Sequence, residues 1–215
     1  MITTVLFDLD GTLVDTAPDL GYALNIQLQR HGKAPVPDDE IRPYASHGSK
    51  GLLHLGFGIT PDDAQFISMR DEYLAIYDQV FTRSPCLFDG MAEVLTHLEQ
   101  KDLHWGIVTN KPSRFTKPLV KSMGLDVRAA SVVSGDDAAK PKPSPATLLL
   151  ACQQIGVQPA QCLYVGDAER DIEAGRAAGM QTAVALFGYI SQSDQPDTWG
   201  ANFMVDSPQD IIGLL

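Results

Sequence analysis

The chain of 215 residues is long enough for one full domain and a small second module. Its 44% apolar and 20% charged residues are ordinary for a globular protein and exclude extended disorder and low complexity. A net charge of −11 argues against a nucleic-acid partner, because phosphate backbones are bound by basic surface; a small anionic substrate stays possible if a bound cation and a few local lysines reverse the field in one cleft.

The chain opens on a short apolar, β-rich run at 3–7, which reads as a strand buried on both faces, as in a parallel sheet. The run has no basic flank and meets Asp8 at once, so no secretory leader is expected, and no stretch approaches the roughly 20 apolar residues that span a bilayer. Residues 17–82 are mostly helical in pattern, with glycine and proline punctuation at 32–37 and 56–61, and read as a helical insertion after the first strand. Within it, Ser46, His47, Gly48, Ser49 and Lys50 form its most ligand-like stretch, although an exposed turn between helices fits the same residues. Ser84-Pro85 reads as the return hinge.

Beyond residue 83 a rhythm sets in. Strand-like runs at 105–109, 131–134, 162–165 and 181–185 alternate with helical patterns at 91–101, 115–123, 145–155 and 172–178. Gly124, Gly156 and Gly179 stand where helices end. Alternating strands and helices predict a doubly wound, mostly parallel α/β sheet, a Rossmann-like core of 1–16 and 83–215 with an all-helical cap inserted at 17–82. Cys86, Cys152 and Cys162 form no paired framework, so reduced thiols and a cytoplasmic location are expected.

Four short motifs carry chemistry. Asp8-Leu9-Asp10-Gly11-Thr12 follows the first strand, and ligands of open α/β sheets bind beyond the carboxyl ends of strands. Alternation turns Asp8 and Asp10 to the same side, where two carboxylates repel unless a cation lies between them, and hard cations such as Mg²⁺ take oxygen ligands. Gly166-Asp167-Ala168-Glu169-Arg170-Asp171 repeats the pattern after another buried strand, with Asp171 one helical turn beyond Asp167. Taken alone, each acidic pair is also a common helix cap; two acidic strand ends in one sheet are harder to explain that way. Thr109-Asn110-Lys111 ends a third strand with a hydroxyl and an amide that can donate to phosphate oxygens, and Lys140-Pro141-Lys142-Pro143 offers a lysine in a stiff segment; taken alone, a polar turn and a surface loop fit the same residues equally well.

Asp8-Leu9-Asp10-Gly11-Thr12-Leu13-Val14-Asp15, Thr109-Asn110, Lys142-Pro143 and Gly166-Asp167-x-x-x-Asp171 resemble, in order and spacing, the motifs of the haloacid dehalogenase-like hydrolases. The resemblance covers the whole chain, lies in the phosphoglycolate phosphatase-like group and makes the insertion similar to that family's C1-type cap. It implies a phosphatase in which Asp8 is the nucleophile, Asp10 the acid and base, and Thr109, Lys142, Gly11, Thr12 and Asn110 the holders of the phosphoryl group. Mg²⁺ is implied as cofactor, on Asp8, Asp10 (through its carbonyl), Asp167 and Asp171. Lys140 and Lys142 both precede Pro-x-Pro, and the distance to Gly166-Asp167 favours Lys142. A phosphomutase or a silent phospho-ligand binder would share the core; the resemblance implies that a silent binder would lack Asp8 or Asp10, and that a phosphomutase would carry a bulky residue where Thr12 stands, so hydrolysis is expected. The expected partner is a small phosphorylated metabolite, with no nucleic acid, membrane or obligate protein partner. Leu87-Phe88-Asp89-Gly90-Met91, Gly188-Tyr189-Ile190 and Trp199-Gly200-Ala201 are similar to members acting on N-acetylmuramic acid 6-phosphate, which makes that sugar phosphate the expected substrate and 2-phosphoglycolate the alternative. Gly48 and Lys50 are the cap residues expected to meet it, Lys50 standing where those members carry an arginine.

Overall fold

The computed structural model describes all 215 residues, which divide into two compact units: Met1–Val14 with Leu87–Leu215, and Asp15–Cys86. The first unit is built on a six-stranded sheet of β1 (Thr4–Phe7), β4 (His104–Val108), β5 (Ser131–Val133), β6 (Cys162–Gly166), β7 (Gln181–Ala185) and β8 (Phe203–Val205). Its helices are α5 (Met91–Gln100), α6 (Ser113–Ser122), α7 (Ala146–Ile155) and α8 (Glu169–Ala178). Two short strands, β2 (Val14–Asp15) and β3 (Cys86–Leu87), pair in a separate two-stranded sheet where the chain passes between the units.

Every pairing in the large sheet is parallel, in the order β5-β4-β1-β6-β7-β8. The chain therefore builds outward from β1 in one direction, then crosses back to lay β6 on its other side. Phe7 stands level with Ile107 of β4 and Val165 of β6. The switch in winding direction lies between β1 and β6, where an open α/β sheet leaves a crevice beyond its carboxyl ends. This strand order is the doubly wound one expected from the alternation of elements.

Burial on both faces explains the composition of the central strands. Thr4–Phe7 and Cys162–Gly166 are buried throughout. Leu6, Val108, Val133 and Tyr164 point into one cluster with Leu148, Ala151 and Cys152 of α7 and Ala174 and Ala178 of α8. Ile172 of α8, Val184 of β7 and Trp199 form a second cluster. Helices α7 and α8 end at Gly156 and Gly179, each with positive φ, which glycine adopts without the steric cost of a side chain.

Strand β8 was not legible as a strand. It has only three residues, follows an irregular loop, and is recognised by its register with Ala183–Ala185 of β7. The two-residue strands β2 and β3 are likewise too short to carry a pattern.

The second unit consists of α1 (Ala17–Arg30), α2 (Asp38–Ile41), a 3-10 segment Arg42–His47, α3 (Gly48–Phe57) and α4 (Phe66–Tyr77). Helix α1 packs on α3 and α4, burying Leu20, Leu24, Leu28, Leu52, Leu53, Tyr73 and Ile76. Tyr73 buries its ring and donates its hydroxyl to the Leu20 carbonyl at 3.1 Å. Asp15 pairs with Arg42 at 2.8 Å, and Asp19 accepts from the Ser84 amide and hydroxyl, so both chain ends of this unit are tied within it.

The sheet allows a comparison of two apolar side chains. Leu6 on the central strand is fully buried, whereas Met204 on edge strand β8 is 49% exposed. Leu6→Ala is expected to lower unfolding free energy by about 2–5 kcal/mol, and Met204→Ala by less than about 1 kcal/mol. Urea titrations of both variants check this, and equal losses would contradict the assigned core.

Candidate active site

The carboxyl ends of β1, β4 and β6 each lead into a loop that carries one motif. Asp8 follows β1 and continues its ladder, its amide donating to Val165 at 2.9 Å. Asp167 follows β6, on the other side of the switch point. Asp171 lies in the first turn of α8, where its Oδ2 accepts from the Ala168 amide at 3.0 Å. Asp171 thus caps the helix with one oxygen and turns the other, Oδ1, to the Lys142 ammonium. Gly166 makes this approach possible, since a Cβ there would collide with the Asp171 side chain.

Ligand oxygens of Asp8, Asp167 and Asp171 all lie within 4.8 Å of one another, and all three residues are buried. Lys142 is buried with them. Its Nζ stands 2.9 Å from Asp8 Oδ1, 2.6 Å from Asp171 Oδ1, 2.7 Å from the Tyr164 hydroxyl and 3.1 Å from the Val108 carbonyl. An ammonium has three protons for these four oxygens. The Tyr164 hydroxyl donates to Val108 at 2.9 Å, which relieves that competition. Lys140, by contrast, is exposed.

The segment carrying Lys142 is anchored by Asn110. The Asn110 side chain donates to the Lys142 carbonyl at 2.9 Å and accepts from the Lys142 amide at 2.8 Å. Thr109 is buried at the end of β4, and its hydroxyl accepts from the Lys111 amide at 3.1 Å. Asp10, less buried than Asp8, is paired through Oδ1 with the Lys111 ammonium at 2.8 Å.

Asp167 is clamped from three sides. It accepts from the Tyr189 amide at 3.0 Å and the Thr12 hydroxyl at 3.3 Å. Gly11, at φ +86°, and Gly188 lie so close that a Cβ at either would strike the Asp167 side chain. Gly48 and Lys50 belong to the second unit, at the start of α3, where Lys50 is exposed.

The electrostatics follow from burial. Burial raises the Asp8 carboxyl above its usual range; the Lys142 ammonium opposes this, and Asp171 adds to it. Burial likewise drives the Tyr164 phenol upward, reinforced by Asp171 and Asp8, so it stays a protonated donor. Burial works against the charge on Arg170, but Asp171, Asp8 and Asp167 outweigh it and hold the guanidinium charged. Three carboxylates with hard oxygen donors outnumber the two cationic side chains that face them. The donor set and its uncompensated charge fit a small hard cation such as Mg²⁺.

Four contributors escaped the sequence reading as site residues: Lys111, Tyr164, Arg170 and Tyr189. Lys111 and Arg170 lie inside motifs that were read for their other members. Tyr164 had a signal of its own, a hydroxyl in a strand otherwise aliphatic and buried, which needs a polar partner there. The Tyr189 contribution is a backbone amide and leaves no trace in residue type.

Residues 5–185 match the family model of the haloacid dehalogenase-like hydrolases, and the chain belongs to that family. It is 39% identical over 214 residues to an N-acetylmuramic acid 6-phosphate phosphatase of Pseudomonas aeruginosa, covering 100% of this chain and 95% of that one. It is 41% identical over 207 residues to a phosphoglycolate phosphatase of Xanthomonas campestris, covering 96% and 93%. Among solved structures, a haloacid dehalogenase-like hydrolase from Streptococcus pneumoniae superposes with a TM-score of 0.83 at 20% identity, over 99% of this chain and 98% of that one, a likeness of fold.

Lys142→Met tests the charge balance. It leaves Asp8 and Asp171 buried without their common cation, a loss of about 3–5 kcal/mol at neutral pH in the presence of chelator. With its opposing charge gone, the Asp8 carboxyl rises further. A raised carboxyl destabilises the fold at high pH and recovers as it protonates, so the deficit is expected to shrink toward about pH 5. Denaturant midpoints at both pH values check this; a midpoint equal to that of the unsubstituted protein would show that Lys142 does not offset the carboxylates.

Proposed function

We propose that this protein is a Mg²⁺-dependent phosphomonoesterase acting through an aspartyl phosphate, with N-acetylmuramic acid 6-phosphate, a sugar phosphate of peptidoglycan recycling, as substrate. The observation that carries the reaction class is the meeting of Asp8, Asp167 and Asp171, two of them paired with Lys142, at the switch point of a parallel sheet.

In this reading Asp8 attacks phosphorus, and the bond to the ester oxygen breaks. Asp10 gives its proton to the departing alkoxide. It then takes one from the water that attacks the aspartyl phosphate, which frees phosphate and restores Asp8. Lys142, Thr109 and the backbone after Asp10, at Gly11 and Thr12, hold the phosphoryl oxygens, and Asn110 holds the Lys142 segment in place. Asp8, the Asp10 carbonyl, Asp167 and Asp171 would hold Mg²⁺, which when bound neutralises charge on the phosphoryl group. The remaining work is positioning in a buried, low-dielectric site, where fixed charges act strongly.

The core accounts for the phosphoryl group and leaves the rest of the substrate unread. We assign that selection to the helical unit, with Gly48 and Lys50 as contributors. Lys50 offers an exposed cation to a carboxylate, which N-acetylmuramic acid 6-phosphate carries on its lactyl group and 2-phosphoglycolate carries beside its ester. The names of the two relatives support both substrates, and the identity is similar to each.

Asp8→Asn is expected to abolish phosphate release while circular dichroism stays unchanged, because an amide is nearly isosteric but a poor nucleophile. Activity within roughly tenfold of the unsubstituted enzyme, about 1.4 kcal/mol of barrier, would remove Asp8 from its role. Chelator is expected to silence the enzyme, and Mg²⁺ but not Ca²⁺ to restore it, since Ca²⁺ favours more ligands at longer distances.

Parallel kinetics on N-acetylmuramic acid 6-phosphate, 2-phosphoglycolate and a neutral aryl phosphate decide the substrate by kcat/KM. Lys50→Ala is expected to lower kcat/KM for the carboxylate-bearing substrate and to leave the aryl phosphate nearly unaffected. If both fall together, Lys50 does not read the carboxylate.

A further inference from the structure

The ion pair of Lys111 with Asp10 is more enclosed than a surface contact, with side-chain exposures of 6% and 17%. Its lysine also stands on a fixed base. The Lys111 amide donates to the Thr109 hydroxyl at 3.1 Å, and its carbonyl accepts from the Thr116 hydroxyl at 3.0 Å and the Gly135 amide at 3.1 Å. Thr109 follows β4, Thr116 lies on α6 and Gly135 follows β5 closely, so segments attached to three elements of the sheet unit hold this one residue. Asp10, in contrast, lies in the loop after β1, joined locally through its bridge to Val14.

A carboxylate on a loop swings about two side-chain torsions, and each misplacement of a proton-transfer group is costly. An ammonium delivered from a rigid neighbouring loop removes that freedom. It engages Oδ1 and thereby narrows the range of orientations open to the carboxyl group. We propose that Lys111 is a positioning residue for Asp10, orienting its carboxyl group toward the ester oxygen of the substrate and toward the water that follows. This inference rests on the reading of Asp10 as proton donor and acceptor. It assigns Lys111 no contact with the substrate: its work is done through Asp10.

The loop geometry explains why the residue is a lysine. The Asn110 side chain is turned to the Lys142 backbone, and the Thr109 hydroxyl to the Lys111 amide, so two consecutive residues of the loop already serve the chain around them. The third must cross from β4 to the loop after the adjacent strand β1. A long side chain with a terminal cation makes that reach and meets a carboxylate with a charge-assisted bond.

The test is a double-mutant cycle of Lys111→Met and Asp10→Asn in the Mg²⁺-supplemented enzyme, with Lys111→Arg and Lys111→Gln alongside and thermal melts to verify folding. Single-turnover phosphoryl transfer is measured with an alkyl and an aryl phosphate, and steady-state kcat and KM with the alkyl phosphate. Lys111→Met is expected to lower kcat on the order of a hundredfold with little change in KM. The loss in the transfer step should be much smaller for the aryl phosphate, whose leaving group needs no proton. Lys111→Arg should recover part of the activity and Lys111→Gln little of it. On the Asp10→Asn background, Lys111→Met should change the rate by less than about twofold, because its route of action is already gone. Additive losses would overturn the inference, as would a loss confined to KM of carboxylate-bearing substrates that persists without Asp10, since that marks a direct substrate contact. An Asp10→Asn enzyme with full activity on the alkyl phosphate would instead refute the role given to Asp10 and the present inference with it.

Discussion

A lysine ammonium enclosed with buried carboxylates is the constraint on which the rest of this structure depends. Asp8, Asp171 and Lys142 are all withdrawn from water, and each would be costly alone. Together they satisfy one another, but only at hydrogen-bond distances. Such an arrangement tolerates little displacement, so the backbone beneath it has to be held accurately. Asn110 fastens the Lys142 segment by both its amide and carbonyl, Tyr164 fills the remaining side of the ammonium, and Asp171 is fixed by capping its own helix. The excess of negative charge that remains is what suits the cluster to a hard cation.

The sheet topology supplies the place for this cluster. In a doubly wound sheet the strands flanking the switch point send their loops apart and leave a crevice between them. Here those strands are β1 and β6, and the residues just past them are Asp8 and Asp167. The central strands are buried on both faces, so their ends are stiff. Residues attached one position beyond a stiff strand inherit its precision, which phosphoryl transfer needs because so much of its catalysis is positioning. Two glycines let the loops come close enough to matter: Gly11 and Gly188 stand against Asp167 where a larger residue would force it aside.

Several residues here serve structure and site at once. Asp171 caps α8 with one oxygen and meets Lys142 with the other. Thr12 and the Tyr189 amide immobilise Asp167. The chain divides into a sheet unit, which holds the whole charged cluster, and a helical unit, which holds none of it. The relatives named for two different phosphate esters have similar identity to this chain, as expected if a common core is used with different substrates.

The amino-acid sequence already carries the alternation of buried strands and helices, and with it the parallel sheet, because apolar runs bounded by glycine and polar turns are a local signal. It also determined which acids lie at strand ends, since Asp8 and Asp167 each follow an unbroken apolar run. It did not show β8, whose three residues are held by register with β7 rather than by any pattern of their own. Of two lysines in like contexts, at 140 and 142, the tertiary structure decided which is enclosed with Asp8 and Asp171 and which is exposed. It also decided that Asn110 turns to the Lys142 backbone, that Lys111 reaches Asp10, and that the Tyr164 hydroxyl faces an ammonium. The reason is physical. Strand and helix formation depend on neighbours along the chain, whereas the partner of a buried charge is set by which loops the sheet brings side by side, and those loops are separated by dozens of residues.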